Sequence, residues 1–128
     1  LNMLTHICPK LPMRSKAVTK DFYLNHLNFK MLGEFDAYLI VGSDNIEIHF
    51  FEFKELNPKD NYGQVYIRTD EIDQLYQSYT SRNISIHPNG NLQCKPWGQK
   101  EFALLDPDHN LLTFGQSITK MANSMFKE

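Results

Sequence analysis

Apolar and polar positions along the chain fall into two series of short alternating runs, each interrupted once by helical spacing. Met3–Cys8 reads as a short strand, and the two prolines of the following PKLPMR argue against continuous pairing there. Ser15 stands where a helix N-cap is expected, ahead of a helix from about Lys16 to His26 that would bury Val18 and Phe22. NFKMLGEF reads as a strand. AYLIVGSDNIEIHFFEF reads as a hairpin turning at Gly42–Asn45, with Glu47 and His49 on one face and Ile46, Ile48 and Phe50 on the other. KELNPKDNYG is a polar linker.

The pattern then restarts. QVYIRT predicts a strand, and Thr69 or Asp70 caps a helix carrying Ile72, Leu75, Tyr76 and Tyr79 at i, i+3, i+4 and i+7. ISIH predicts a strand, PNGNLQCKPWG a loop, QKEFALLD a strand, PDHN a turn and LLTFGQS a last strand. ITKMANSMFKE is a tail, either a short helix or frayed. Strand, helix, then three strands thus occurs twice, and the copies end alike in SDNIEIHF and PDHNLLTF. This predicts an α+β fold: one domain, 1–128, of two duplicated βαβββ modules at about 3–55 and 62–117, joined near Asn57–Tyr62, with a tail at 118–128. Each module alone is too small to close a core. Two together are expected to form a curved mixed sheet with helices outside and a concave inner face suited to a small molecule.

Composition narrows the function classes. A length of 128 residues fits one domain, and 41% hydrophobic with 22% charged residues is ordinary for a globular chain. A net charge of −2 offers no basic face for nucleic acid. No apolar run approaches a membrane span, and LNMLTHICPKLPM is too broken by polar residues for a signal peptide, with Met3 read as the natural start. Cys8 and Cys94 are far apart, so free thiols in a reducing, cytoplasmic setting are expected. Gly-rich phosphate loops, Gly-x-Ser-x-Gly and HExxH motifs are all missing from the sequence.

The run PWGQKEFALLDPDHNLLTFGQ, Pro96–Gln116, holds the only tryptophan, set in Pro-Trp-Gly beside a hairpin. Together with PKLPMRSKAVTKDFYLNHLNF, IEIHFFEF and TDEIDQLY, it resembles the vicinal oxygen chelate superfamily, and within it the bleomycin resistance proteins, over roughly Ile7–Gln116. The superfamily's enzymes hold a divalent metal on the sheet. Their ligand positions fall here on Cys8, Gln64 and Thr113, which supply neither imidazole nor carboxylate, although His6 lies two residues before Cys8 on the same strand face. The resemblance therefore implies a binding protein with no catalytic residue, no metal and no cofactor. Its ligand would be a bleomycin-like molecule, flat and aromatic with a cationic tail, held between aromatic side chains at the interface of a homodimer. The alternative is a metal-dependent enzyme of the superfamily, such as a glyoxalase, dioxygenase or thiol transferase.

Trp97 matches one clamp position and Tyr38 another, and the ligand-lining set becomes Trp97, Tyr38, His49, Tyr62, Gly98 and Phe102. Pro9 fits the hinge at which the family exchanges its N-terminal strand between protomers. Acidic groups that would attract a cationic drug are Glu34, Asp36, Glu47, Glu52, Asp60 and Glu101. Each residue has a plainer competing role. Trp97 and Tyr38 would fill a core, His49 would simply partner Glu47, and Tyr66 and Phe102 have a face that periodicity leaves undecided. Cys8 reads as an inert thiol, His87 and His109 as solvated, Arg14 and Arg68 as surface or dimer contacts, and the Asp106–Asn110 turn as structural.

Overall fold

The computed structural model describes residues 1–118, so most of the tail lies outside the described residues. The strands are β1 (Lys10–Met13), β2 (Lys30–Phe35), β3 (Tyr38–Ser43), β4 (Ile46–Glu52), β5 (Gln64–Arg68), β6 (Gln93–Lys95), β7 (Gln99–Leu105) and β8 (Leu111–Ser117). Helix α1 (Lys16–Asp21) follows β1 and helix α2 (Ile72–Ser81) follows β5. The chain divides into two compact units, one of Leu1–Gly63 with Pro107–Asn110, the other of Gln64–Asp106 with the chain from Leu111 onward. Both have the order βαβββ, and their four-stranded mixed sheets have matching strand orders, β1-β4-β3-β2 and β5-β8-β7-β6.

In the first unit β1 runs parallel to β4, pairing Lys10 with His49 and Leu11 with Phe50, while β2, β3 and β4 form an antiparallel meander. Alternation puts Leu11, Met13, Leu39, Val41, Ile48 and Phe50 on the buried face. Tyr23 packs there on Phe50 and Phe29, with ring centroids 4.8 and 5.6 Å apart. The Ser15 side chain accepts from the Val18 N–H at 3.3 Å, as a cap should. The phase of the helix differs from expectation. Val18 is exposed and Phe22 half-exposed, whereas Thr19, Tyr23 and Leu27 are buried at four-residue intervals. A π-helical turn at Phe22–His26 carries that stripe past the end of α1.

The first strand also differs. Met3–Cys8 is irregular, and the strand is Lys10–Met13, running through Pro12. It lies at the sheet edge, where a residue without an N–H leaves no ladder bond unmade. One further bond, from His49 N–H to Pro9 O at 3.0 Å, continues the pairing toward Cys8.

In the second unit β5 runs parallel to β8, pairing Tyr66 with Thr113 and Arg68 with Gly115. Phe102 and Phe114 stack at 5.0 Å, and the rings of Tyr76 and Tyr79 on α2 meet Phe102 edge-on. Neither Thr69 nor Asp70 is the N-cap of α2; Glu71 is, without a side-chain bond of its own. Gln116 Oε1 accepts from the Ile72 N–H at 3.0 Å instead. ISIH forms no strand, and the second strand of this unit is β6, inside the run expected to be loop. ISIH reaches β7 only through its last residue, His87 N–H donating to Ala103 O at 2.9 Å, and the chain then turns so that Gly90 O accepts from Ala103 N–H at 3.0 Å.

The PDHN turn belongs to the first unit. Asp108, 2% exposed, accepts from the Arg14 backbone N–H at 3.1 Å and from Arg14 Nε at 2.7 Å. Asn110 Nδ2 donates to Pro12 O at 3.0 Å, and its Oδ1 accepts from Asn61 at 2.8 Å. Arg14 is thus an ion-paired anchor rather than a free surface cation. Asp108→Ala leaves the Arg14 donors without this acceptor, and an unmade bond at a buried site costs about 1–3 kcal/mol. Urea unfolding is expected to show a loss of that size, with Arg14→Ala costing at least as much because it removes the cation that pairs with the buried Asp108 carboxylate.

Candidate functional site

The Pro-Trp-Gly stretch is the turn of the β6–β7 hairpin. Lys95 pairs with Gln99 across a three-residue loop, Gly98 N–H donates to Lys95 O at 3.1 Å, and Gly98 has φ 80°. Such loops need a residue that tolerates the left-handed region at their last position, and proline presets the first. Trp97 between them is held off the sheet and stays 63% exposed.

Glu101 fixes the ring. Its Oε2 accepts from Trp97 Nε1–H at 2.8 Å and from the Tyr66 hydroxyl at 2.7 Å. Glu101 is 6% exposed, so both bonds are made by a buried carboxylate. The register explains the meeting: Glu101 pairs with Gly115, Gly115 with Arg68, and Tyr66 lies two residues from Arg68 on the same face. A Cβ at position 115 would overlap the Tyr66 hydroxyl, so this close approach requires glycine. Arg68 lies 5.4 Å from the Tyr66 ring centroid and Lys95 Nζ 5.8 Å from that of Trp97. Desolvation first, then the Glu101 carboxylate, pushes the Tyr66 phenol from its ordinary 10.0 up to about 12.

The equivalent face of the first unit is also polar. His49 Nε2 lies 2.6 Å from Glu47 Oε2, and His49 Nδ1 lies 2.8 Å from the Tyr38 hydroxyl. With Nε2 donating to the carboxylate, Nδ1 accepts from Tyr38. Lys10 Nζ sits 5.6 Å from the Tyr38 ring centroid. The His49 hydrogen bond holds Glu47 below the usual carboxylate range. Desolvation and then Glu47 push the Cys8 thiol up. The metal-capable atoms of His6, Cys8 and Glu47 lie within 4.8 Å of one another.

The other expected residues scatter. Tyr62 is 86% exposed near the end of the first unit, and Phe102 is 1% exposed in the core of the second, where stacking on Phe114 removes it from any ligand-facing surface. Gln64 and Thr113 both lie in the second unit, on β5 and β8. Of the acidic set, Glu34 pairs with Lys20 at 3.0 Å and Glu52 with Lys54 at 3.5 Å, while Asp60 bonds Asn57 at 3.2 Å. Asp36 is exposed in the β2–β3 turn. His109 is exposed, and His87 Nδ1 accepts from the Asn89 N–H at 3.0 Å. Sequence reasoning left out the Tyr66–Glu101 pair. The i, i+4 distance from Trp97 to Glu101 around a hairpin turn was the available signal.

The model of the Glyoxalase/Bleomycin resistance protein/Dioxygenase superfamily matches residues 4–114. A bleomycin resistance protein of Geobacillus stearothermophilus is 28% identical over 126 residues, covering 86% of this chain and 95% of its own length. One of Klebsiella pneumoniae is 26% identical over 120 residues, covering 90% and 94%. Among solved structures, a bleomycin resistance determinant encoded on the transposon Tn5 aligns with TM-score 0.81 and 25% identity, covering 89% of this chain and 98% of its own. A bleomycin-binding protein complexed with bleomycin aligns with TM-score 0.78 and 24% identity, covering 89% and 99%, a likeness of fold. The matched span takes in both βαβββ units, so the chain belongs to the glyoxalase/bleomycin resistance protein/dioxygenase superfamily.

Proposed function

We propose that the chain is a non-catalytic binding protein that sequesters a bleomycin-type glycopeptide antibiotic and so confers resistance by mass action. The observation that carries this is the Trp97 ring, largely exposed yet fixed by a buried carboxylate. An ordinary packing tryptophan is covered, and a merely exposed one has no such partner. A flat ring held edge-on by Glu101, with Tyr66 beside it, presents a preorganised stacking wall for a flat heteroaromatic. Stacking contributes about 0.5–1.5 kcal/mol beyond area burial. The buried Glu101 and the partly exposed Glu47 supply negative charge for a cationic ligand. Tyr38 and His49 are the proposed ligand-facing pair of the first unit, with Gly98 shaping the Trp97 turn and Tyr62 an exposed aromatic at its border.

Relatives named as bleomycin resistance proteins, matched over most of their length, support this ligand class. A homodimer working in the cytoplasm, with Cys8 and Cys94 as free thiols, completes the reading. Among the described residues no helix is long and apolar enough to cross a membrane. The enzyme alternative lacks carboxylate and imidazole at the superfamily's ligand positions, which are Cys8, Gln64 and Thr113 here.

Calorimetric titration with metal-free bleomycin is expected to saturate at one drug per chain. Trp97→Ala should weaken binding by roughly 30-fold or more, the loss of about 2 kcal/mol typical of a buried aromatic contact. Unchanged affinity in that variant would sink the stacking wall; no heat and no saturation with the folded chain would sink bleomycin as the ligand.

Glu101→Gln tests the support beneath the wall. Followed by phenolate absorbance, Tyr66 and Tyr79 should titrate near 12. The substitution should lower the Tyr66 value part of the way, because desolvation, the larger cause, remains, and it should leave Tyr79 unmoved. Because the folded-state value is raised, the stabilisation linked to Tyr66 is complete below about 10 and is lost as pH rises toward about 12. A Tyr66 titration indifferent to Glu101→Gln would show that the pair does not form.

A further inference from the structure

Beyond the drug-binding role, we propose that the first unit carries a divalent-cation site of the zinc type, built from His6, Cys8 and Glu47. The sequence assigns no metal ligand, because Cys8, Gln64 and Thr113 supply neither imidazole nor carboxylate. The structure supplies the juxtaposition. The Lys10–His49 register, continued through the His49 N–H to Pro9 O bond, sets Cys8 beside Glu47. Imidazole nitrogen, thiol sulfur and carboxylate oxygen then lie within 4.8 Å of one another. Tetrahedral zinc with bonds of about 2.0–2.3 Å holds its donors about 3.5 Å apart. The remaining closure of about 1 Å falls within the reach of His6, which is exposed on an irregular segment.

The donor set fits a borderline cation and no harder one. Sulfur and imidazole favour zinc-like ions over magnesium or calcium. A thiolate and a carboxylate together neutralise a 2+ charge. Binding replaces the thiol proton: the S–H bond breaks, an S–metal bond forms, and one proton leaves to solvent. Three protein donors leave a fourth position for water or another ligand.

A supporting shell is already in place. Thr5 Oγ1 lies 3.0 Å from His6 Nδ1, which leaves Nε2 as the nitrogen free to ligate. His49 holds one oxygen of Glu47 and is itself held by Tyr38. The carboxylate is therefore oriented before any cation arrives. This set is distinct from the positions the superfamily's enzymes use. Only Cys8 is shared, since Gln64 and Thr113 belong to the other unit.

The test is titration of the reduced, full chain with zinc chloride, and separately with cobalt(II) as a spectroscopic probe. One zinc per chain is expected, and cobalt should show a sulfur-to-metal charge-transfer band in the near ultraviolet. Cys8→Ser should abolish that band, and Cys8→Ser, Glu47→Gln and the surface change His6→Ala should each weaken zinc more than about tenfold. His49→Gln, one step removed, should weaken it by about tenfold. Cys94→Ser, in the second unit, should leave both readouts intact. Persistence of the charge-transfer band in Cys8→Ser, or zinc affinity indifferent to His6→Ala and Glu47→Gln, overturns the site, as does a wild-type chain that takes up no zinc. Bleomycin binding is measured separately and metal-free, so failure here does not bear on the Trp97 wall.

Discussion

Everything placed near a functional face depends on one pairing made twice, a parallel match between the first and last strands of each unit. A parallel pair cannot be closed by a tight turn, so α1 and two further strands intervene between β1 and β4, and α2 with two strands between β5 and β8. The pairing fixes which residue of the opening strand lies beside which of the closing strand. Its period of two then sorts the side chains. One face takes Leu11, Met13, Ile48 and Phe50, or Leu112, Phe114 and Phe102. The other takes Cys8, Glu47 and His49, or Tyr66, Gly115 and Glu101. A slip of one residue would exchange core for chemistry.

The two units use that shared frame differently. In the first, the polar face is a chain of donors and acceptors, Tyr38 to His49 to Glu47, ending near a thiol. In the second, one buried carboxylate gathers two aromatic rings by their polar edges. The first arrangement suits a cation and the second a flat ring. Duplicated architecture carries two different polar arrangements, and the side chains rather than the backbone separate them.

Much of the fold was legible because alternation and turn chemistry are local. The β2–β3–β4 meander, α2, β7 and β8 all follow from runs of a few residues and their punctuation. What failed to show was non-local. Pro12 looked like a strand breaker until β1 proved to be an edge, a property of the sheet rather than of the residue. ISIH has strand composition, yet it touches β7 only through His87 before the chain turns at Gly90, so no ladder forms. Val18 and Phe22 are apolar at helical spacing, but the π turn and the position of Phe50 select Tyr23 instead. The candidate sites divided the same way. Trp97 was visible as a lone aromatic in a turn. Its partner Tyr66 was not, because the two meet only through the β5–β8–β7 register.

Gly115 bears on how this surface can vary through descent. The Tyr66 hydroxyl occupies the space that any other residue at 115 would need. Lineages that enlarge position 115 must therefore shrink or turn away the aromatic at 66, and Glu101 then loses one of its two donors. Positions 66, 101 and 115 are coupled sterically across three strands, so a larger side chain at 115 is accommodated only together with a change at 66.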